Sequence, residues 1–167
     1  MKIFSLIFIT ISLFILPLIA CKKGSYGTSD FLECRVNGKK WSAYSGDFKN
    51  SATRSIIQNT GQTVSITGLN SDSHEDISIG VFTPGEQIKE GIYKLYNGAG
   101  HDGSYRQQTQ GKYFSTSETY NGELNITSID TGKSIISGTF HFKAIDENSN
   151  ESVEITNGSF RVHYQNQ

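Results

Sequence analysis

Residues that pin a structure chemically are scarce in this 167-residue chain, which has two prolines, two cysteines, one methionine and one tryptophan. So few cysteines exclude a disulfide-rich scaffold, which needs several bridges to replace a small core. An excess of one charge is missing too, since 15 Lys and Arg stand against 16 Asp and Glu, a formal net charge of -1. Without surplus Lys and Arg to displace phosphate counterions, no nucleic-acid partner is expected. Beyond residue 30 no stretch of eleven or more residues carries a helical apolar period, which excludes an α-rich fold. Long apolar runs are confined to the first twenty residues: 15 of them are hydrophobic, against roughly 30% of the remainder.

What is present begins with that apolar segment. Lys2 precedes a run from Ile3 to Ile19, broken by Ser5, Thr10, Ser12 and Pro17. Its position and its small-residue exit predict a secretory signal over residues 1–20 rather than a membrane-spanning helix. Leu18 at minus three, Ala20 at minus one and Cys21 directly after resemble the lipobox of bacterial lipoproteins. That resemblance implies that Cys21 becomes a lipidated N-terminus bearing a thioether-linked diacylglycerol and an acylated, palmitate-type amine. At ~0.8 kcal/mol per buried methylene, several acyl chains anchor a protein almost permanently, so a membrane is the expected partner through this lipid. The same modification consumes the Cys21 sulfur and leaves Cys34 alone, so no disulfide is expected and Cys34 is read as a small buried hydrophobe. Residues 21–30, the lipidated end and a Lys, Gly, Ser and Thr stretch, read as a flexible tether. Neither an acidic run after Cys21 nor an Asp at the second position is present. The expected location is the outer membrane with the domain on its periplasmic face by default, surface orientation being left open.

Residues 31–167 are expected to form one all-β domain. Asn37-Gly38 between Leu32-Cys34-Val36 and Trp41-Ala43 fits a two-residue hairpin, because both residues tolerate the positive φ of a type I′ turn. Further strands are predicted near 52–58, 62–69, 76–82, 91–96, 105–116 and 122–129, and Thr83-Pro84-Gly85 reads as a turn. The last forty-five residues permit a register prediction, since the apolar face must match across each antiparallel pair. In a strand from Lys133 to Ile145 the inward set is Ile136, Gly138, Phe140, Phe142 and Ala144, with Phe142 opposite Ile155 and Ala144 opposite Val153. A bulge at Asn157-Gly158 then shifts parity so that Phe160 opposes Gly138 and Val162 opposes Ile136. A three-residue loop, Asp130-Thr131-Gly132, is expected to set Ile126 opposite Ile136 and Leu124 opposite Gly138. The fold expected is an antiparallel sandwich or meander barrel of about eight to ten strands ending in a three-stranded meander.

Val36-Asn37-Gly38-Lys39-Lys40-Trp41-Ser42-Ala43, Gly91-Ile92-Tyr93-Lys94-Leu95, Ile126-Thr127-Ser128-Ile129-Asp130, Ile136-Ser137-Gly138-Thr139-Phe140-His141-Phe142 and Ile155-Thr156-Asn157-Gly158-Ser159-Phe160-Arg161-Val162 resemble a group of small Bacteroidota lipoproteins that carry an all-β domain of unknown function. The resemblance covers most of the chain after the signal, implies lipid anchoring and an all-β domain, and supplies no catalytic residues. The segments from Asn97 to Gly103 and from Tyr105 to Tyr120 match no part of that pattern.

Candidate chemistry is thin. In the register above His141 and His163 both point outward, about six residues apart, too far to share an ion. His74 and His101 lie in polar segments and are read as solvent-exposed. Asn70, Asp72, His74 and Asp76 alternate as calcium loops do, but neither frame supplies the turn glycine and the bidentate Glu. No metal and no cofactor are expected. Asn97 to Gly103 is rich in glycine yet lacks the following helix that a phosphate loop needs. No Ser has a nucleophile-elbow glycine pair, no Cys has a His partner, and Trp41 is read as core. Long loops on rigid β scaffolds carry binding residues, so His101, Asp102, Tyr105, Arg106 and Tyr113 are the predicted ligand or partner positions. The sequence thus points to a lipid-anchored, non-enzymatic envelope domain that binds an envelope protein or small ligand. A lipocalin-like barrel carrying a lipid or other apolar molecule is the alternative, and an envelope hydrolase comes third.

Overall fold

Alternation of apolar and polar residues produces eleven strands in the computed structural model, which describes residues 30–44, 53–58, 62–96, 98 and 100–166. The signal segment, Cys21 and the tether up to residue 29 lie outside the described residues. The strands are β1 (Phe31–Val36), β2 (Lys39–Tyr44), β3 (Thr53–Gln58), β4 (Thr63–Asn70), β5 (Glu75–Phe82), β6 (Gly91–Leu95), β7 (His101–Gln107), β8 (Lys112–Ser115), β9 (Gly122–Asp130), β10 (Ile135–Asp146) and β11 (Glu151–Asn166). Among the described residues the fold is all-β, with a 3-10 turn at Gln108–Gln110 and no α-helix.

One sheet contains every strand, in the order β2-β1-β11-β3-β4-β5-β7-β8-β10-β9-β6, with β10 also paired to β11. That extra pairing nearly closes the sheet into a barrel. The ring runs β3-β4-β5-β7-β8-β10-β11 and returns to β3 through a parallel contact, Tyr164 to Asn166 beside Ser55 to Ile57. Its thinnest seam is β8 against β10, where a single pair, Ser115 and Ile145, makes the connection. The ring leaves its own strands paired on both sides, and the outer strands of the sheet are β2 and β6. Two wings extend from the ring: β1–β2 along β11, and β9–β6 along β10. The β1–β2 wing folds over β4, where Asn70 Nδ2 donates to Ser42 O at 3.1 Å.

The C-terminal meander follows the predicted parity. Ile136 faces Val162, Gly138 faces Phe160, Phe142 faces Ile155 and Ala144 faces Val153, with the register shift between Phe140 and Phe142. Left-handed backbone at the bulge falls on Asn157 (φ 53), not on Gly158. Gly158 has a different reason to be glycine. A β-carbon there would sit 2.6 Å from Phe140 Cγ, and one on Gly138 would sit 2.8 Å from Phe160 Cζ. Each phenylalanine therefore lies across the glycine opposite it, and the exchange is reciprocal. The β9 register departs from expectation by more than one position: Ile129 faces Ile136, Ile126 faces Gly138 and Leu124 faces Phe140. The connection is a four-residue turn, residues 131–134, with Ser134 at φ 53, and a second bulge follows between Ser137 and Gly138. Parity survives because Leu124 and Ile126 remain buried.

The predicted strand at 105–116 is two strands. Gly111, at φ 64, ends the 3-10 turn and reverses the chain, so β7 and β8 pair with each other. His101 to Gly103, read as loop, open β7 opposite Val81, Gly80 and Ile79. The Asn37-Gly38 hairpin has both φ values positive, as a type I′ turn requires. Leu32, Cys34, Trp41 and Ala43 from the β1–β2 wing, Leu95, Leu124 and Ile126 from the other, and Ile66, Ile79, Phe140, Phe142, Phe160 and Val162 from the ring share one buried cluster.

Candidate functional site

The five predicted site residues separate onto two faces of β7 and β8. Arg106 pairs with Tyr113 across the strands and Tyr105 pairs with Phe114, so alternation sends Tyr105 inward with the buried Phe114, away from the exposed Arg106 and Tyr113. His101, Asp102 and Tyr113 meet in a surface cleft of about 270 Å³ together with Gly100, Ser115 and Thr116. Arg106 is held outside that cleft, its Nε 3.0 Å from the buried Asp76 carboxylate, which also accepts from Gln108 Nε2 at 3.1 Å. Asp102 has its pKa raised by burial, an effect only partly offset by a backbone hydrogen bond and the neighbouring His101.

His101 is half-buried, contrary to the exposed position expected. Its Nδ1 lies 3.1 Å from Lys94 O and its Nε2 3.1 Å from Phe82 O, with the Tyr93 ring edge-on at 5.7 Å. Whichever ring nitrogen carries the proton donates to a carbonyl, Lys94 O of β6 or Phe82 O of β5, so the ring sits between β5, β6 and β7 where the Tyr96–His101 bridge joins the wing to the ring. His74 and His141 are exposed, and His163 Nδ1 lies 2.6 Å from Asp30 Oδ1. No three His, Cys, Asp or Glu side chains among the described residues come together as a metal site.

Tyr105 leads instead to a second hollow, of about 230 Å³, at the barrel end between the β1–β2 hairpin and the paired ends of β5 and β7. Glu75 opens β5 on the same parity as Ile77, Ile79 and Val81, so alternation carries its carboxylate inward at the rim. Tyr105 donates its hydroxyl to Glu75 Oε1 at 2.5 Å, and Gln107 Nε2 donates to the Tyr105 oxygen at 3.2 Å. Burial, then the bond to Glu75, raise the Tyr105 phenol above its ordinary pKa. Cys34, which faces Trp41 across the hairpin, is a free thiol pushed up to about 12 by burial and secondarily by the charge of Glu75.

Trp41 forms a wall of this hollow and of a neighbouring one of about 360 Å³ bounded by Glu33, Arg35, Tyr44 and Asn157. Its indole is 5% exposed and tip-down on β4, its Cη2 3.0 Å from where a Gly68 β-carbon would stand. Its Nε1–H is buried without an acceptor, and it is the one such side-chain atom among the described residues. Trp41 as core was legible in the sequence. Glu75 was not singled out, although a carboxylate continuing the inward parity of Ile77, Ile79 and Val81 marks a polar group aimed into a barrel mouth.

These features define an all-β protein, a nearly closed antiparallel barrel with a polar and aromatic hollow at one end. Residues 34–162 match the family model described as a domain of unknown function (DUF6252), and the chain belongs to that family. The match runs from within β1 to within β11 and stops before Tyr164 to Asn166, which make the contact with β3. No curated protein and no solved structure matches the chain.

Proposed function

We propose that this protein is a lipid-anchored lipoprotein of a bacterial cell envelope, of the Bacteroidota type, whose barrel is a non-enzymatic binding module. Leu18-Ile19-Ala20-Cys21, closing the apolar run from Ile3, is the observation that carries the anchor. Asp30 is buried against His163 where β1 begins. From there β1 runs six residues, ~20 Å at ~3.3 Å each, to Val36 and Asn37 at the rim of the barrel-end hollow. A tether through residues 21–30 thus enters the domain at the opposite end of β1 from that hollow and leaves the hollow unobstructed. Outer-membrane attachment with a periplasmic domain is the default arrangement, and a surface orientation is the variant that protease shaving of intact cells distinguishes.

The carrier alternative draws less support. Ile136, Phe140, Phe142, Phe160 and Val162, where a lipocalin-like cup would need space, are all buried, and the Phe140 ring centroid lies 6.3 Å from Phe142 and 6.4 Å from Phe160. The anchor is tested by metabolic labelling with an alkyne-tagged palmitate and by membrane fractionation. Wild type should label and sediment with membranes, while Cys21→Ser should not label. Equal labelling of the two would overturn the anchor, and a turnover activity abolished by a substitution lining either cleft would overturn the non-enzymatic part.

A further inference from the structure

We propose that the barrel-end hollow binds one ring of a neutral polyhydroxylated molecule, a sugar unit, with Trp41 Nε1 donating to a ligand oxygen and Glu75 accepting from a ligand hydroxyl. The inference rests on the reading of the barrel as a binding module and names its ligand class. Two independent observations carry it: a built hollow with an inward carboxylate, and a buried indole N–H with no acceptor.

The donor and acceptor inventory selects the chemistry. Indole N–H is donor only, and an unpaired buried donor is an exception that a missing partner explains. Glu75 is acceptor only when ionised, and Tyr105 occupies part of one oxygen, leaving lone pairs unused. Lys39 and Lys40, exposed on the rim, supply further donors. A simple anion would accept from Trp41 and the lysines but would face Glu75 with nothing to donate. A simple cation would suit Glu75 yet would meet the two lysines and leave the indole unpaired. A hydroxyl donates and accepts at once, so a molecule carrying several satisfies both walls without burying a net charge. Val36 and the indole edge add apolar surface for the C–H face of a ring. At about 230 Å³ the hollow is smaller than the ~300–1,000 Å³ typical of larger ligands, which sets the size at a single ring. The indole N–H is shielded in the free protein, so under this proposal the rim side chains shift as the ring seats.

Trp41 is the sole tryptophan of the chain, so a ¹⁵N-labelled protein has one indole N–H resonance, and it reports this site alone. The full chain, isolated in detergent, is titrated with glucose, galactose and N-acetylglucosamine, and in parallel with acetate, tetramethylammonium and trialanine. At least one sugar should move the indole resonance saturably while the three comparators do not. Glu75→Gln keeps an acceptor for Tyr105 but removes the charge, and should weaken sugar binding about tenfold. Lys39→Met, at the rim, removes a donor to the ligand, should weaken binding several-fold and guards against a folding defect at Glu75. Circular dichroism matching wild type is required of each variant. The proposal is overturned if none of the sugars moves the resonance, if trialanine or acetate moves it as strongly, or if both variants bind sugar like wild type. Failure with every sugar while the chain still cross-links reproducibly to one envelope protein would remove this inference and leave the binding-module reading standing.

Discussion

Gly138 offers the sharpest test of the barrel's packing. A β-carbon placed there would lie 2.2 Å from Asn125 O, a backbone atom of β9, and 2.8 Å from Phe160 Cζ across the β10–β11 pair. Replacing glycine by alanine in a strand ordinarily gains ~0.5–1 kcal/mol by reducing unfolded-state freedom. Overpacking a tight core costs ~1–3 kcal/mol, and with a backbone oxygen as the obstacle the upper end applies. Gly138→Ala should therefore lose about 2 kcal/mol net, which at ~1–3 kcal/mol per molar urea lowers the unfolding midpoint by about 1 M. Relieving one of the two contacts should not restore it. Phe160→Leu frees the ring contact but leaves Asn125 O in place, so the double variant should be no more stable than Gly138→Ala alone. Gly132→Ala, in the β9–β10 turn with only Asp130 Oδ1 at 3.4 Å, is the control and should stay within about 0.5 kcal/mol of wild type. Urea unfolding followed by far-ultraviolet circular dichroism measures all four proteins. Coincident midpoints for Gly138→Ala and Gly132→Ala would refute the close approach of β9, β10 and β11 at this point, and with it the register of the meander.

Further outcomes follow from titratable groups. Cys34 rises from its ordinary 9.0 to about 12 and Tyr105 rises above its ordinary 10.0, so both stabilise the fold fully below the lower, unfolded values and cease to do so as pH climbs through the raised ones. The urea midpoint should accordingly fall from pH 9 upward, and in Cys21→Ser, where Cys34 is the remaining thiol, a disulfide reagent at about pH 8 should react only after unfolding; prompt native-state reaction would mean that the thiol is not buried as described. Asp102 is also raised above its ordinary 3.8 by burial, so the folded chain carries its charge at a cost at neutral pH and carries the protonated form freely in acid. Asp102→Asn should raise the urea midpoint at pH 7 and lose that gain below about pH 4; a lower midpoint at pH 7 would show that the carboxylate is held by a stabilising partner.

Much of the fold was legible because its determinants are local. Period-two alternation placed Ile136, Gly138, Phe140, Phe142 and Ala144 on one face, and the change of parity after Ile155 required a bulge near Asn157. The β9 register was missed because it depends on turn length and on a second bulge, which slide the strand while keeping its apolar face inward and so leave no mark on the alternation. The break between β7 and β8 was missed because Gln107 to Gly111 is polar in either conformation, and Gly111 alone signals the reversal. For the site, proximity in sequence misled. Tyr105 and Arg106 are neighbours in the chain yet open onto opposite faces of a strand, while Trp41, Glu75 and Tyr105, spread over sixty-odd residues, share one hollow.

By itself the sequence determined an all-β domain, its principal turns, its buried face and the presence of a lipobox-like motif ahead of it. These depend on side-chain periodicity, on φ preferences and on a short motif, all of which act within a few residues. Only the tertiary structure decided that the sheet bends round until β11 meets β3, that the β1–β2 wing crosses β4, that Trp41 and Glu75 line one hollow at the barrel mouth, and that the indole N–H is left without an acceptor. Those outcomes depend on which strand edges and faces meet across the whole chain. Twist, bulges and the reciprocal stacking of Phe140 and Phe160 on glycine set that geometry, and no local window of residues contains it.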